Sequence, residues 1–238
     1  ESMKLSIVIP FYNEENMIQK MYDELVKEIN QITKAEFEII FINDGSKDRT
    51  FEKMRAIAAG DSRVKYISFS RNFGKEAGTI AGLEYATGEA VILMDGDLQH
   101  PPALLPQMIK AYEEGYDVVS ARRTRTGEKP HRTFLAKHFY RLANKMMDIE
   151  LMDGVSEFRL FSRKAVRAIL SLQEYNRFSK GIFSWIGFKE KVIEYENQVR
   201  TVGETKYSLK FSLNYAIQGI LSFNDKPLRM CINFGLFC

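Results

Sequence analysis

The chain has 238 residues, of which 45% are hydrophobic and 27% are charged, an ordinary composition for a globular protein. This length allows one large domain or a domain with an appendage. The two cysteines both lie in the last eight residues, which argues against a disulfide framework and fits a reducing compartment. The formal net charge is only +3, but residues 122–145 carry five Arg and three Lys against one acid.

Apolar runs alternate with helical spacings through the first half of the chain. Predicted strands and helices follow one another as strand 5–10, helix 13–32, strand 37–42, helix 50–59, strand 64–69, helix 75–85, strand 91–94, helix 102–115 and strand 118–119. Pro10 closes the first strand and Asn13 caps the first helix, with Glu14 and Glu15 in its first turn. This alternation predicts an α/β fold with a mostly parallel sheet flanked by helices. A dinucleotide-binding dehydrogenase is rejected because no glycine follows the first strand.

The alternation ends after residue 121, where the basic stretch begins. Apolar residues at helical spacing predict a helix there, and Lys137, Arg141 and Lys145 fall on another of its faces. This face fits either an anionic membrane surface or plain solvent. Nucleic acid is not predicted, because no nucleic-acid-binding module accompanies the basic run. Beyond it we predict a polar turn at 153–158, structure at 159–161, a helix at 165–172, a strand at 191–195 and an apolar helix at 209–223.

Two carboxylates follow the fourth predicted strand, at the end where open α/β sheets bind ligands. Asp95 and Asp97 are two residues apart, so in an extended chain their side chains face the same side. Gly96 lets a ligand approach the backbone between them. Their hard oxygens suit Mg²⁺ or Mn²⁺ bridged to substrate phosphates. The alternative is a loop with two solvated acids. A calcium EF-hand is a poor fit, since His100 stands where that loop needs glycine.

Several motifs stand in order after the predicted strands. They are residues 9–14 (IPFYNE), 43–46 (NDGS), 71–75 (RNFGK), 95–102 (DGDLQHPP), 184–188 (SWIGF) and 203–208 (GETKYS). Together they resemble the family 2 inverting glycosyltransferases of GT-A fold. More narrowly, they resemble the polyprenyl-phosphate branch, which includes the bactoprenol glucosyltransferases and dolichyl-phosphate mannose synthases. The resemblance covers essentially the whole chain.

The resemblance implies transfer of a hexose from a nucleotide-diphosphate sugar to polyprenyl (undecaprenyl) phosphate, with inversion and with Mg²⁺ or Mn²⁺ as cofactor. UDP-glucose or UDP-N-acetylglucosamine is the expected donor. By analogy, Asp95 and Asp97 hold the metal, with Asp97 as the more direct ligand. The other residues implied in binding the nucleotide sugar are Pro10, Tyr12, Glu14, Asp44, Ser46, Arg71, Lys75, Gly96 and Gln99. Lys75 is equally compatible with an ordinary residue at a helix start.

The nucleophile implied by the resemblance is a phosphate oxygen, which is already mostly anionic at neutral pH because its second pKa is near 6. Strong base catalysis is therefore hardly needed, and cations should hold the acceptor. Arg200 and Lys206 stand on a Gly-hinged loop that can close over phosphate. The residues placed near the acceptor or lipid headgroups are Arg122, Arg123, Arg125, Arg132 and Ser208.

One position departs from the family pattern. An Asp commonly precedes Phe-Arg in this family, whereas this chain has Glu157 before Phe158 and Arg159. Glu157 then takes the place of the catalytic acid, one methylene longer, as base or as orienter of the acceptor. Asp153 is the alternative, and neither residue acting as base is a third possibility.

The expected organisation is a catalytic domain over residues 3–223, divided into a nucleotide-binding part 3–121 and an acceptor- and membrane-facing part 122–223. Residues 224–238 are expected to form a juxtamembrane segment, because the apolar run at 230–238 suggests that transmembrane helices follow. The resemblance then implies a cell-membrane protein with its catalytic domain on the cytoplasmic face and possible homo-oligomers. The competing hypotheses are a family 2 transferase with a saccharide acceptor, a GDP-mannose-dependent polyprenyl-phosphate transferase, and a nonenzymatic nucleotide-sugar sensor or membrane scaffold.

Overall fold

The computed structural model describes residues 2–124, 155–172, 182–183 and 186–196. The chain divides into two compact units. Most of these residues belong to the first unit, which comprises Glu1–Thr124, Val155–Leu172 and Phe188–Arg200. The predicted amphipathic and juxtamembrane helices lie outside the described residues. None of the described helices combines the length and the apolar character needed to cross a bilayer.

The first unit is built on a seven-stranded sheet of order β3-β2-β1-β4-β6-β5-β7. Its strands are β1 (Met3–Phe11), β2 (Ala35–Asn43), β3 (Val64–Ser68), β4 (Ala90–Leu93), β5 (Val118–Arg123), β6 (Val155–Ser162) and β7 (Glu190–Tyr195). The helices are α1 (Ile18–Ile29), α2 (Thr50–Gly60), α3 (Lys75–Tyr85), α4 (Leu105–Glu113) and α5 (Arg163–Ser171), with a 3₁₀ turn at Pro102–Leu104. The predicted mostly parallel α/β sheet flanked by helices is therefore confirmed.

The core lies where the central strands are covered by the helices. Residues such as Leu5, Ile7 and Ile9 of β1 are fully buried, and Ile18, Met21 and Leu25 of α1 pack into the same cluster. Strands buried on both faces read as continuous apolar runs, which explains why the β1, β2 and β4 segments are so hydrophobic.

The end of the first strand and the beginning of the first helix both differ from the prediction. β1 continues through Pro10, which is paired with Ile42 of β2. The β1–β4 ladder ends at Val8 and Leu93, so Pro10 lies where β1 has a partner on one side only and a proline is tolerated. Asn13 does not cap α1, which begins at Ile18. It instead adopts a left-handed conformation, with φ 51°, in a loop before the helix.

The polar turn predicted at residues 153–158 is also wrong for its described part. Residues from Val155 onward form β6, which runs antiparallel between β4 and β5. Leu93 is opposite Arg159 in this register. Extending the register by two residues brings Glu157, at the beginning of β6, level with Asp95, just beyond the carboxyl end of β4.

Candidate active site

The site lies where β4 and β6 meet, and one lysine side chain is at its centre. The ammonium of Lys75, the first residue of α3, is 2.6 Å from Asp95 Oδ1 and 2.9 Å from Glu157 Oε2. Burial favours the neutral amine, but the charges of Asp95 and Glu157 outweigh it and raise the pKa of Lys75 well above its usual value. Three residues that the sequence assigned to separate motifs therefore form one charged cluster.

His100 supports this cluster from the buried side. Its Nδ1 accepts a hydrogen bond of 3.0 Å from the backbone N–H of Asp95, and its ring stacks on Phe158 of β6 at 5.5 Å. Burial lowers the pKa of His100, while the negative charge of Asp95 opposes that shift. Sequence reasoning gave His100 no role. Its signal was its place in the motif that begins with Asp95.

The turn that carries Asp97 is tight and locally determined. Leu98 has a left-handed backbone, with φ 59°, and the backbone N–H of Gln99 donates to Asp97 Oδ1 at 3.1 Å. Gly96 is buried, and a Cβ built on it would lie 2.3 Å from Cε1 of Phe11. In this structure it is the Phe11 ring that approaches so closely that only glycine fits. The sequence had suggested a second reason for the glycine, the approach of a ligand.

The chemistry of the donor set fits a divalent cation held jointly with a phosphate ligand. Within the part of the chain that the structure describes, no group of three or more His, Cys, Asp or Glu side chains is arranged to hold a metal ion by itself. Mg²⁺ commonly binds through one or two carboxylates and completes its shell with waters and substrate phosphates. Asp95 and Asp97 supply such a pair, and Asp95 already contacts one cation, the ammonium of Lys75.

Asp44 is buried, whereas a residue that binds a ligand from solvent is usually exposed. The residue is 3% exposed, and its carboxylate accepts hydrogen bonds from the backbone N–H groups of Phe73, at 2.7 Å, and Gly74, at 3.0 Å, and from the Asn72 amide, at 3.0 Å. Burial raises the pKa of Asp44, and the two backbone donors partly offset that effect. Asp44 thus fixes the loop that leads into Lys75, a role that the sequence did not indicate.

The loops after β1 and β2 are joined by several polar contacts. Ser46 Oγ accepts from the N–H of Asn13 at 3.0 Å, and Thr50 Oγ1 accepts from the N–H of Glu14 at 2.8 Å. Tyr12 lies in the same loop with 36% of its surface exposed. The segments that carry Tyr12, Glu14 and Ser46 therefore lie together, beyond the carboxyl ends of β1 and β2.

The predicted cations fall into three groups. Arg71 lies over the ring of Phe73, with its guanidinium carbon 4.2 Å from the ring centre. Arg122 forms an ion pair with Glu194 of β7, while Arg123 is half-buried at the end of β5. The remaining predicted site residues lie outside the described residues: Arg125, Arg132, Arg200, Lys206 and Ser208. Asp153 also lies outside them.

Similarity to solved structures identifies the fold. The glucosyl-3-phosphoglycerate synthase of Mycobacterium tuberculosis, solved with Mn²⁺, uridine-diphosphate-glucose and phosphoglyceric acid, aligns with a TM-score of 0.57 and 19% identity over 92% of this chain and 77% of that one. The mannosyltransferase PcManGT of Pyrobaculum calidifontis, in complex with GDP-Man and Mn²⁺, aligns with a TM-score of 0.57 and 18% identity over 82% of this chain and 55% of that one. The predicted GT-A fold is confirmed.

Sequence relatives are much closer. The chain is 52% identical over 233 residues to CsbB of Bacillus subtilis, a match that covers 98% of this chain and 70% of CsbB. It is 42% identical over 236 residues to the bactoprenol glucosyl transferase of Shigella phage SfX, covering 99% of this chain and 77% of that protein. Residues 6–170 match the family model described as glycosyl transferase family 2. The chain therefore belongs to glycosyl transferase family 2.

Proposed function

We propose that this enzyme transfers a hexose from a nucleotide-diphosphate sugar to a polyprenyl phosphate, with inversion, at a membrane surface. The observation that carries the proposal is the 42% identity to a bactoprenol glucosyl transferase over 99% of the chain. The charged cluster of Lys75, Asp95 and Glu157 supports it, because a transfer between two phosphate-bearing substrates needs both acids and cations at one place.

The donor would bind across the ends of β1, β2 and β4. Tyr12 offers an exposed ring for a nucleobase, and the loop with Glu14 and Ser46 would contact the ribose. Asp44 already accepts hydrogen bonds from three N–H groups, so a bond from a nucleobase N–H would be a fourth. A uracil N3–H and a guanine N1–H would both serve, so this residue does not select UDP over GDP. Pro10, Arg71, Gly96 and Gln99 complete the predicted donor site.

Asp95 and Asp97 would hold Mg²⁺ or Mn²⁺, which when bound supplies positive charge to the leaving diphosphate. The chain's own residues prepare that position. The N–H of Gln99 orients the Asp97 carboxylate, and His100 fixes the backbone of Asp95. The Asp97 carboxylate and the Asp95 backbone are thus held in place before a ligand arrives, which limits reorganisation during the reaction.

The acceptor phosphate needs orientation more than it needs a base. Its second pKa, near 6, leaves it mostly ionised at neutral pH. Glu157 shares the ammonium of Lys75 with Asp95 and would orient the attacking oxygen, while cations offset the repulsion between the acceptor phosphate and the acids. We propose Arg200 and Lys206 as the phosphate clamp. Arg122, Arg123, Arg125, Arg132 and Ser208 would lie near the acceptor or lipid headgroups.

The cellular setting is part of the proposal. A polyprenyl phosphate resides in a membrane, so we place the enzyme at the cell membrane with its catalytic domain on the cytoplasmic face. The basic helix predicted after residue 121 and the juxtamembrane segment 224–238 would then contact lipid. Homo-oligomers through these segments are a further expectation.

A donor panel with a matched acceptor assay tests the function. Thermal unfolding is measured with UDP-glucose, UDP-N-acetylglucosamine and GDP-mannose, each with and without Mn²⁺, and product is assayed with undecaprenyl phosphate and with a saccharide acceptor. A ligand that binds only the folded state raises the unfolding temperature. We expect metal-dependent stabilisation by one UDP-sugar and transfer to undecaprenyl phosphate. Transfer only to the saccharide, or only from GDP-mannose, would favour the corresponding alternative, and binding without any transfer would favour a sensor.

A further inference from the structure

The Lys75 side chain lies between two acids that belong to different parts of the sheet. Its ammonium contacts Asp95, just after β4, at 2.6 Å and Glu157, on β6, at 2.9 Å. An ammonium group has three N–H donors, so both contacts are made at once. The antiparallel pairing of β6 with β4 brings the two acids to the same place.

The helix itself gives no reason for a lysine at this position. Lys75 is the first residue of α3, where the helix dipole disfavours positive charge. The residue that precedes α3, Gly74, has φ 94°, and no side chain caps the N-terminus of this helix. A cation here is therefore explained by its two acids and not by helix stability.

The same lysine conflicts with a metal ion. A divalent cation on Asp95 and Asp97 would bring positive charge close to the ammonium that contacts Asp95 Oδ1. Like charges this close repel each other in a site that is only partly exposed to water. A lysine is a compact charge on a flexible stem with several rotatable bonds, so it can leave one acid and keep the other. Glu157, at 2.9 Å, is the acid that it can keep.

We propose that Lys75 is a positioning residue that acts as the resident counter-ion of the active site. Without substrate it neutralises Asp95 and Glu157. When a divalent cation enters with a nucleotide diphosphate, Lys75 leaves Asp95, keeps its contact with Glu157 and holds that carboxylate in place. This inference rests on the proposed function, because it requires that Asp95 share a metal with a diphosphate.

The first consequence is that metal alone binds weakly and binds better with a diphosphate. The test measures the affinity for Mn²⁺, with and without UDP, in the full chain and in Lys75→Met. We expect Lys75→Met to bind Mn²⁺ without UDP roughly tenfold more tightly than the unmodified chain, since the competing charge is gone. The factor by which UDP increases the Mn²⁺ affinity should therefore be smaller in Lys75→Met than in the unmodified chain. Equal Mn²⁺ affinities without UDP would overturn the inference.

Two further variants separate charge from structure. Lys75→Arg keeps a cation and should bind Mn²⁺ as weakly as the unmodified chain, and an affinity equal to that of Lys75→Met would contradict the inference. Lys65→Met is the matched control, because Lys65 pairs with the buried Glu38 at 2.9 Å and not with Asp95. It removes the same charge by the same substitution and should leave the Mn²⁺ affinity unchanged. A Lys65→Met affinity raised as much as that of Lys75→Met would mean that net charge alone is responsible.

A crystal structure of the unmodified chain with Mn²⁺ and UDP tests the displacement without any variant. We expect Lys75 Nζ to lie within hydrogen-bond distance of Glu157 but too far from Asp95 for a hydrogen bond. A retained contact between Lys75 and Asp95 would overturn the inference. Asp97→Asn separates a failure of the Lys75 inference from a failure of the proposed function. If it abolishes UDP-dependent Mn²⁺ binding while the Lys75 variants change nothing, this inference fails and the proposed function stands. If the unmodified chain binds no Mn²⁺ even with UDP, the metal-dependent function fails and the inference with it.

Discussion

Two clusters in this protein join acids to lysines across strands, and they are held in very different ways. Glu38 of β2 is 4% exposed and accepts hydrogen bonds from Ser6 Oγ at 2.5 Å and from the N–H and hydroxyl of Thr87 at 2.5 and 2.9 Å. Lys65 adds a contact of 2.9 Å. In the active-site cluster, by contrast, the contact shared by Asp95 and Glu157 is the ammonium of a lysine side chain, that of Lys75.

The difference shows how a carboxylate becomes structural or functional. A backbone N–H and short hydroxyl side chains are fixed by the fold, so the acid that they bind cannot exchange partners without local unfolding. A lysine on a flexible stem can move away, and Asp95 is 27% exposed at its side chain. The Glu38 cluster thus ties β1, β2 and β3 together, while the Lys75 cluster is able to admit a ligand.

The largest effect is expected from Asp97→Asn, which tests the functional cluster. Replacing a charged metal ligand by an amide should lower transfer roughly 10³-fold, because the charge on the leaving diphosphate is no longer offset. The fold should persist, since an amide oxygen can still accept the hydrogen bond from the N–H of Gln99. The measurements are the transfer rate and the unfolding temperature. A folded variant that keeps its transfer activity would refute the metal role of Asp97.

Glu38→Gln tests the structural cluster. Burial alone raises the pKa of Glu38, but its donors outweigh burial and lower the pKa from 4.5 to about 2. This shift corresponds to about 3 kcal/mol of unfolding free energy near neutral pH, which the variant should lose. A group with a depressed folded pKa stabilises above its unfolded pKa, here 4.5, and that contribution is lost as the pH falls toward 2.

Urea unfolding at several pH values checks this prediction. The pH-dependent part of the difference between the unmodified chain and Glu38→Gln should fall by about half or more between pH 7 and pH 3. Lys65→Met is a useful control, because Glu38 keeps its hydroxyl and backbone donors in that variant. A difference that is the same at pH 7 and pH 3 would show that the charge of Glu38 does not contribute.

Gly96→Ala tests how firmly the functional cluster is anchored to the core. The added methyl would lie 2.3 Å from the ring of Phe11, which is itself 1% exposed and packs edge-on against Phe41. Overpacking of this kind costs about 1–3 kcal/mol of unfolding free energy. The double variant with Phe11→Leu should recover part of the loss. Additive losses in a double-mutant cycle would mean that the ring is not the cause.

Glu157→Gln is expected to have the smallest effect. An amide oxygen still accepts a hydrogen bond from Lys75, and an acceptor phosphate that is already ionised needs little base catalysis. We therefore expect kcat to fall roughly tenfold, less than the 10²–10⁴ that is usual when a general base is removed. Glu157→Asp keeps the charge but withdraws the carboxylate by one methylene, so this second variant tests whether its distance from Lys75 matters. A 10³-fold loss in Glu157→Gln would instead identify Glu157 as an essential base.

Elements set by interactions between residues close in the chain were predictable from the sequence, and elements set by distant residues were not. Strand and helix positions in residues 5–119 could be predicted because local apolar periodicity reports burial directly. The errors came where distant residues decide. Asn13 looked like a helix cap, but its amide oxygen accepts from the N–H of Lys47 in the next loop. Residues from Val155 onward looked like a polar turn, because a strand that begins beside an active site carries polar residues.

By itself, the sequence determined the α/β class, the family and the two aspartates at the end of a buried strand, since these depend on periodicity and on motifs within a few residues. Tertiary structure alone decided that β6 enters antiparallel beside β4, and hence that Glu157 and Asp95 share the ammonium of Lys75. It also decided that Asp44 supports a loop and that Gly96 makes room for Phe11. The physical reason is that pairing and packing between residues far apart in the chain have no local pattern in the sequence.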